Sequence, residues 1–462
     1  MSEFYSVNQR NTDIKPRITV GLDIGTSKIC ALVASVEPNN PNLRILGIGI
    51  AESEGLNRGV VVNIDRTTKA IKNVIAQAEQ QSGIKISEVN IGIAGDHVES
   101  IQSRGIITIS NPSTEISKQD VARLLEEARK INIPADREIL HVIPQDFVVD
   151  GQDCIQDPVG MSGLRLEANV HIITGLKTAI QNISRCVDRA GLKIRNLVLE
   201  PLASSRAVLA NDEMAVGVAL VDIGGGTTDI AVITDSIIRY TSVFGIAGNQ
   251  VTNDLQQGLG ITLANAEKVK KENGHTYPDS IAHDELIMIP GLSGRRPHEI
   301  SKKLLCQILQ PRVAEIFELV KVELKASGFY NSLGAGGVVI TGGSTLLRGI
   351  DHLAQEVLEL PVKIGIPSGF TYEGLGPEIE NPMFATAVGL ALWKMEEAPV
   401  YTNEQKSETE VTKKEEVKAR VEDRPRPVFG DEKEAKKSET KLEAKKNISN
   451  ILKKITDKLK EL

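Results

Sequence analysis

Two stretches of this sequence repeat one pattern, in which an apolar run ends in aspartate and is followed by glycine and small hydroxyl residues. The first is VGLDIGTSK from Val20 to Lys28, and the second is LVDIGGGTTD from Leu220 to Asp229. Glycine allows positive φ angles and close approach of backbone N–H groups to a ligand, so such turns can bind phosphate oxygens. Two facing turns predict a clamp for a triphosphate. The residues predicted to contact phosphate are Gly25, Thr26, Ser27, Lys28, Gly224, Gly225, Gly226, Thr227 and Thr228.

The aspartates at the ends of the two apolar runs, Asp23 and Asp222, predict a magnesium site beside these phosphates. Mg²⁺ prefers a few carboxylates together with phosphate oxygens and water, so we expect both side chains to hold the ion, partly through water. Lys28 either reaches a phosphate or points to solvent. The hairpins that position these residues are predicted from the apolar strands on both sides of each turn.

A third glycine-rich element, ITGGST, follows a predicted strand from Val338 to Thr341 and precedes an amphipathic helix. Its turn, Gly342, Gly343 and Ser344, can lie flat against a nucleoside. In NAEKVKKENG, Glu267 and Lys270 share one helix face, so both can reach a ribose and base; the alternative is a solvated charged face. In LVLEPLASS a strand ends at Glu200, beside the predicted phosphates, and Pro201 begins a helix.

Composition limits the class of protein. The 462 residues have room for two or three domains, and a net charge of −7 with a pI near 5.7 gives no overall attraction to nucleic acid. The four cysteines form no CxxC pair, as in reduced cytosolic proteins. We find no signal peptide and no membrane-spanning run, so we expect a cytoplasmic protein.

The C-terminal part of the sequence changes character. Residues 396–444 are rich in Glu, Lys and Pro and predict a disordered tether, with a short charged helix as the alternative. Residues 445–462 predict a basic amphipathic helix that binds a membrane surface; a docked core helix and a coiled-coil stub are the alternatives. The predicted membrane-binding residues are Ile448, Ile451, Leu452, Lys453, Lys454, Ile455, Lys458, Leu459 and Leu462.

These motifs resemble those of the ATP-binding superfamily that includes actin, DnaK-type chaperones and sugar kinases. The resemblance implies an α/β fold of the actin-like (ribonuclease H-like) type, with duplicated subdomains around a nucleotide cleft. It implies that DIGTSK and DIGGGTTD are phosphate loops, that ITGGST is the adenosine loop, and that MFATAVGLAL from Met383 to Leu392 is a connecting helix. It also implies ATP and Mg²⁺ as cofactors, with Glu200 and Asp222 positioning a hydrolytic water. At most slow ATP hydrolysis is expected, because no Ser-His-Asp set and no GxxxxGK[ST] motif occur.

The segment between the phosphate loops is similar to the bacterial cell-division family FtsA. The resemblance rests on GDHVES, PVGMSGLRLEANVHIITG, EPLASS, DIGGGTTD and GNQVTNDL, and extends from about Arg17 to Trp393. It implies an inserted subdomain within an otherwise actin-like chain. The predicted boundaries are an N-terminal tail at 1–16, domain I at 17–86, 168–200 and 376–395, the inserted subdomain at 87–167, domain II at 201–262 and 334–375, and a small subdomain of domain II at 263–333.

Membership of this family implies a protein that polymerises on the membrane, anchors the FtsZ ring and recruits later division proteins through the inserted subdomain. The implied location is peripheral, on the cytoplasmic face of the cell membrane at the division site. The C-terminal tail of FtsZ is expected on residues 263–333, where Arg295 and Arg296 offer a basic spot or belong to a solvated loop. Two alternatives are a small-molecule kinase, which needs an acceptor pocket with an aspartate base, and a pilus or rod-shape relative of actin.

Overall fold

The computed structural model describes residues 17–37, 40–109, 115–289, 291, 296–368 and 373–393. The predicted N-terminal tail, tether and terminal helix lie outside the described residues, as does Arg295. The helices and strands, in chain order, are β1 (Arg17–Ile24), β2 (Lys28–Glu37), β3 (Asn40–Glu52), β4 (Leu56–Asn57), β5 (Val60–Val61), α1 (Ile64–Ser82), β6 (Glu88–Ile93), β7 (Glu99–Thr108), α2 (Lys118–Ala128), β8 (Arg137–Val149), β9 (Gln152–Ile155), β10 (Arg165–Leu176), α3 (Lys177–Arg189), β11 (Lys193–Leu199), α4 (Glu200–Val208), α5 (Asn211–Val216), β12 (Val218–Ile223), β13 (Thr228–Thr234), β14 (Ile237–Phe244), α6 (Gly248–Leu259), α7 (Leu263–Asn273), β15 (Leu286–Ile289), β16 (His298–Ser301), α8 (Lys302–Ser327), β17 (Val338–Thr341), α9 (Ile350–Leu358), β18 (Val362–Ile364), β19 (Glu373–Gly374) and α10 (Ala385–Ala391).

Two sheets have the same strand arrangement, which explains the repeated motif. The first has the order β11-β6-β1-β2-β3-β19, and the second has the order β18-β17-β12-β13-β14. In each, the strand that ends in the motif aspartate is antiparallel to the next strand of the hairpin and parallel to its other neighbour. The predicted duplication around a cleft is therefore confirmed at the level of the fold.

The strands of both sheets are apolar on both faces because each sheet is covered on both sides. In β2, Ile29, Ala31 and Val33 pack against α1 and α3, while Cys30 and Leu32 face the other half of the molecule. In the second sheet, α6, α8 and α9 cover the outer face. One hydrophobic cluster contains residues from both sheets and from α4 and α10, so these two helices join the halves.

The inserted subdomain is a four-stranded sheet of order β7-β10-β8-β9, with α2 packed on one face. Its bounds differ from the predicted 87–167. β6 lies in the first sheet, parallel to β1, and β10 continues in the inserted sheet to Leu176. Similarly, β19 joins the first sheet beside β3, although 334–375 was predicted for domain II. Short apolar strands do not reveal which sheet they join, because the pairing depends on distant residues.

Residues 263–333 include α7, the β15–β16 hairpin and α8. Phe317 and Val320 of α8 belong to the same hydrophobic cluster as β12 and β13, so α8 also forms part of the core of domain II. Within the described residues, no helix combines the length and the apolar character that a membrane span requires.

Candidate functional site

The tips of the two motif hairpins have the same backbone geometry. The N–H of Gly25 donates to the carbonyl oxygen of Lys28 at 3.0 Å, and the N–H of Gly224 donates to that of Thr227 at 3.0 Å. In each case the donor follows the motif aspartate by two residues and the acceptor follows it by five. The repeated sequence therefore encodes a repeated turn.

The two tips face each other and touch. A Cβ atom on Gly225 would collide with the side chain of Ser27, and one on Gly226 would collide with the side chain of Thr26. Glycine is required at both positions because the opposite tip fills the space that a side chain would need. The structure thus brings together four of the residues predicted to contact phosphate, Thr26 and Ser27 of one half and Gly225 and Gly226 of the other.

The carboxylate of Asp222, at the end of β12, is held by the two connecting helices. Its Oδ2 accepts hydrogen bonds from Ser204 Oγ of α4 at 2.8 Å and from Thr386 Oγ1 of α10 at 3.3 Å. The two hydroxyls also lie 3.0 Å apart. The sequence predicted both helices but neither hydroxyl as a partner of Asp222, because nothing in it distinguishes Ser204 from Ser205 or links Ser204 to Thr386.

Asp23, on the other half, has a different partner. Lys28 Nζ lies 3.4 Å from Asp23 Oδ2 and donates to the carbonyl oxygen of Met383. Nζ is also 5.1 Å from the ring centre of Phe384, a cation–π contact. Lys28 is therefore turned into the protein toward Asp23 rather than toward solvent.

Two further acids, Asp229 and Glu200, lie close to Asp23 and Asp222. Asp229 is opposite Asp222 in the β12–β13 pair, so both side chains lie on one face, and its Oδ1 has no hydrogen-bond partner among the described residues. Burial, with the charges of Asp23, Asp229 and Asp222, raises the pKa of Glu200 well above its usual value. Burial and then Asp222 do the same to the pKa of Asp229. The sequence did not predict Asp229 as a site residue, because it follows the turn, and the pattern of the next strand does not show that its side chain lies beside Asp222.

This cluster fits a bound cation. The carboxyl groups of Asp23, Glu200 and Asp222 lie near the ammonium group of Lys28, Asp229 lies near Asp222, and burial raises the pKa of all four acids. Within the described part of the chain, no group of three or more acids, histidines or cysteines is spaced to ligate a metal directly. A magnesium ion held here would therefore rely partly on water and phosphate, and the magnesium site stays a prediction.

Replacing Asp229 by asparagine should stabilise the nucleotide-free protein above neutral pH. A carboxyl group whose pKa is raised in the folded state binds more protons there than in the unfolded chain. Its presence therefore lowers the unfolding free energy as pH rises from about 4 through the folded pKa, by about 1.4 kcal/mol per unit of elevation. Urea unfolding in EDTA measures this effect. The unfolding free energy should fall less between pH 5 and pH 8 for Asp229→Asn, and likewise for Glu200→Gln, than for the unmodified chain.

The exposed Asp188 provides the matched control Asp188→Asn. Equal pH dependence for Asp229→Asn, Asp188→Asn and the unmodified chain would contradict the raised pKa of Asp229.

The residues predicted to contact the nucleoside lie near the second hairpin tip and the start of α6. Ser344 Oγ donates to the carbonyl oxygen of Gly224 at 2.7 Å, and the backbone of Gly342, with φ of 91°, packs against the carboxylate of Asp222. Lys270 Nζ lies 2.7 Å from Glu267 Oε2 and donates to the carbonyl oxygen of Gly248 at 3.0 Å. The pair is therefore anchored to the start of α6 rather than being a freely solvated charged face.

The remaining predicted residues have varied positions. Thr228 is fully buried and donates to the carbonyl oxygen of Ile246 at 2.8 Å, so its hydroxyl ties down the loop before α6 rather than facing the cleft. The backbone of Gly343 has open space around it. Arg296 is exposed, as a solvated residue would be. The predicted membrane-binding residues from Ile448 to Leu462 lie outside the described residues.

Comparisons with known structures support the fold. The chain aligns with a PilM–PilN complex of type IV pilus biogenesis at a TM-score of 0.59 and 17% identity, covering 82% of this chain and 98% of the other. It aligns with MreB5 of Spiroplasma citri bound to ADP at a TM-score of 0.51 and 17% identity, covering 82% and 96%. At these identities the likeness establishes the actin-like fold.

Comparisons with sequences are more specific. The sequence profile for cell division protein FtsA matches residues 219–389, and the profile for the SHS2 domain inserted in FtsA matches residues 95–174. The chain is 44% identical over 381 residues to the cell division protein FtsA of Borreliella burgdorferi, covering 82% of this chain and 91% of that protein. It is 42% identical over 380 residues to that of Pseudomonas aeruginosa, covering 82% and 90%. It is 36% identical over 381 residues to that of Escherichia coli K12, covering 81% and 89%. The duplicated sheets, the inserted subdomain and these similarities together establish that the chain belongs to the FtsA family of cell division proteins.

Proposed function

We propose that the cleft binds ATP with Mg²⁺ between its two hairpin tips, and that the bound nucleotide controls closure of the two halves. The observation that most supports this proposal is the contact of two matching glycine-rich tips above buried carboxylates. Backbone N–H groups of the tips would bind phosphate oxygens. Asp23 and Asp222 would hold the ion and its waters, which neutralises phosphate charge. The solved MreB5 structures, with ADP and with AMPPNP, show nucleotides bound to neighbours of the same fold.

Hydrolysis at this site is proposed to be slow. Glu200, at the start of α4, is proposed to orient a water, because burial, together with the acids around it, raises its pKa and so its basicity when ionised. In the nucleotide-free protein that elevation keeps the carboxyl protonated over a wider pH range, and a bound cation would favour its ionised form. ATP would thus serve mainly to set conformation and self-association.

The second part of the proposal is attachment to a membrane by residues 445–462. Six lysines against one aspartate and one glutamate make this segment basic although the whole chain is acidic. Each basic residue near an anionic surface contributes about 1 kcal/mol, so one helix binds weakly and reversibly. Assembly of the heads into an actin-like filament would link many such helices and convert weak contacts into firm attachment. Self-association and membrane binding would then reinforce each other.

The third part is recognition of the C-terminal tail of FtsZ by the β15–β16 hairpin and the start of α8. Leu286, Met288 and Leu304 are 65%, 58% and 46% exposed, an unusual concentration of exposed apolar side chains. Exposed Lys303 and Arg296 lie on the same segment of chain. The exposed apolar side chains suit the apolar part of a peptide, although Met288 is paired across the hairpin with the exposed acid Glu299. Later division proteins are proposed to bind the inserted subdomain, which has a separate four-stranded sheet.

Co-sedimentation with anionic liposomes tests these proposals together. The full chain should pellet with the liposomes, and more strongly with ATP and Mg²⁺ than without. A chain ending at Ala444 should stay in the supernatant. Ile451→Glu should weaken binding about tenfold or more, because it removes one buried apolar side chain and adds a negative charge. A labelled FtsZ tail peptide should pellet with the full chain, and Met288→Glu should abolish that recovery.

Asn450→Glu is the matched control for Ile451→Glu, since it adds the same charge on the side of the predicted helix opposite the apolar stripe. Equal binding by the full and shortened chains would exclude the membrane anchor. Peptide recovery that persists with Met288→Glu would exclude the hairpin as the site for the tail.

A further inference from the structure

The turn between β4 and β5 has a residue that its backbone does not favour. Asn57 and Val60 pair across a two-residue turn in which Arg58 has φ of 48° and Gly59 has φ of 76°. Two positive φ angles define the tight hairpin turn that asparagine or glycine occupies most readily at its first position. Arginine pays a conformational cost there, and such strain is typically retained where the side chain has a function.

This turn is docked on the first hairpin tip. The N–H of Gly59 donates to Thr26 Oγ1 at 3.0 Å. Gly59 also packs against the backbone of Ala94, where a Cβ atom would lie 2.6 Å from the carbonyl oxygen. The position of Arg58 is therefore set by the phosphate-binding tip of domain I.

The side chain of Arg58 crosses to the other half of the molecule and lies over Gly245. A Cβ atom on Gly245 would be 2.8 Å from Arg58 Cδ and 3.3 Å from Nε, so glycine leaves the space that the arginine uses. Gly245 begins the loop between β14 and α6. The N–H groups of Gly248 and Asn249, at the start of α6, donate to the carbonyl oxygens of Gly224 and Gly225 at 3.1 and 2.7 Å. Arg58 thus contacts the segment that supports the second tip.

The side chain of Arg58 is exposed, and its guanidinium group has no ion pair or hydrogen bond within the described residues. It extends from a turn docked on Thr26 of the first tip to the loop that supports the second tip. Its planar set of N–H donors matches phosphate oxygens. We propose that Arg58 binds the terminal phosphate of a nucleoside triphosphate and, through Gly245, holds the two halves closed while that phosphate is present. The inference rests on the proposed nucleotide function and adds to it the residue that distinguishes triphosphate from diphosphate.

Affinity measurements with Arg58→Asn test this role. Asparagine suits the positive φ angle, so the turn is kept while the positive charge is lost. Titration calorimetry of the full chain with Mg²⁺ should show affinity for the β,γ-imido analogue of ATP reduced about tenfold or more, the range for a hydrogen bond to a charged group. Affinity for ADP should change less than about twofold. Arg58→Lys should be intermediate, because lysine keeps the charge but not the planar donor set.

Arg66→Asn is the matched control, since Arg66 is exposed on α1 of the same half and its removal changes the net charge equally. Equal losses for both nucleotides, or for Arg58→Asn and Arg66→Asn, would overturn the proposal and leave Arg58 with a structural role. Failure of the unmodified chain to bind either nucleotide would overturn the proposed function, and the role of Arg58 with it.

Discussion

Replacing Asp222 by asparagine should weaken magnesium-dependent ATP binding by about 30-fold, or about 2 kcal/mol, while leaving the fold intact. Both hydroxyls that contact this carboxylate, Ser204 Oγ and Thr386 Oγ1, are directed at the single atom Oδ2. An asparagine oxygen in the same place can accept both hydrogen bonds. The substitution therefore removes the charge and preserves the contacts between α4, α10 and β12.

The nucleotide-free protein supplies an internal check on this result. Burial raises the pKa of Asp222, so its charge destabilises the empty cleft. Asp222→Asn should accordingly be as stable as the unmodified chain in EDTA, or more stable, at neutral pH. Thermal unfolding should show that added ATP and Mg²⁺ stabilise the unmodified chain and Asp188→Asn, but stabilise Asp222→Asn much less. Full nucleotide-induced stabilisation of Asp222→Asn would contradict a role for this charge in binding.

Gly389→Ala should destabilise the protein by about 3 kcal/mol, although alanine is the better helix former by about 1 kcal/mol. Gly389 is where α10 crosses α4, and a Cβ atom there would overlap the backbone of Ala203, with Ala203 Cα only 2.9 Å away. Backbone atoms of a helix cannot rotate aside as a side chain can. The two helices must separate, and both belong to the hydrophobic cluster that joins the halves of the molecule.

The urea midpoint of unfolding measures this effect directly. Gly334→Ala is the control, since a Cβ atom on Gly334 meets no other atom within 4 Å, and we expect it to change stability little. A shared midpoint for Gly389→Ala and Gly334→Ala would show that α4 and α10 are not tightly packed at this crossing.

The structure also explains why the sequence predicted some elements better than others. The strand predicted from Val338 to Thr341 is β17 with the same bounds, because a short apolar run between turn residues is a local signal. Both hairpin tips were predicted for the same reason. The sheets divide differently from the predicted bounds of the inserted subdomain, because β6 and the last part of β10 have similar apolar sequences but join different sheets.

The sequence by itself determined the duplicated hairpins, the glycines that make their tips and the acids that end β1 and β12, because each is a matter of local backbone geometry. Only the tertiary structure decided that Lys28 pairs with Asp23, that Ser204 and Thr386 hold Asp222, and that Arg58 spans the cleft. Ser204 lies 182 residues from Thr386 in the chain, although their hydroxyls are 3.0 Å apart. Contacts of this kind have no periodicity or spacing in the sequence, since they arise when two separately folded sheets pack on the same pair of helices.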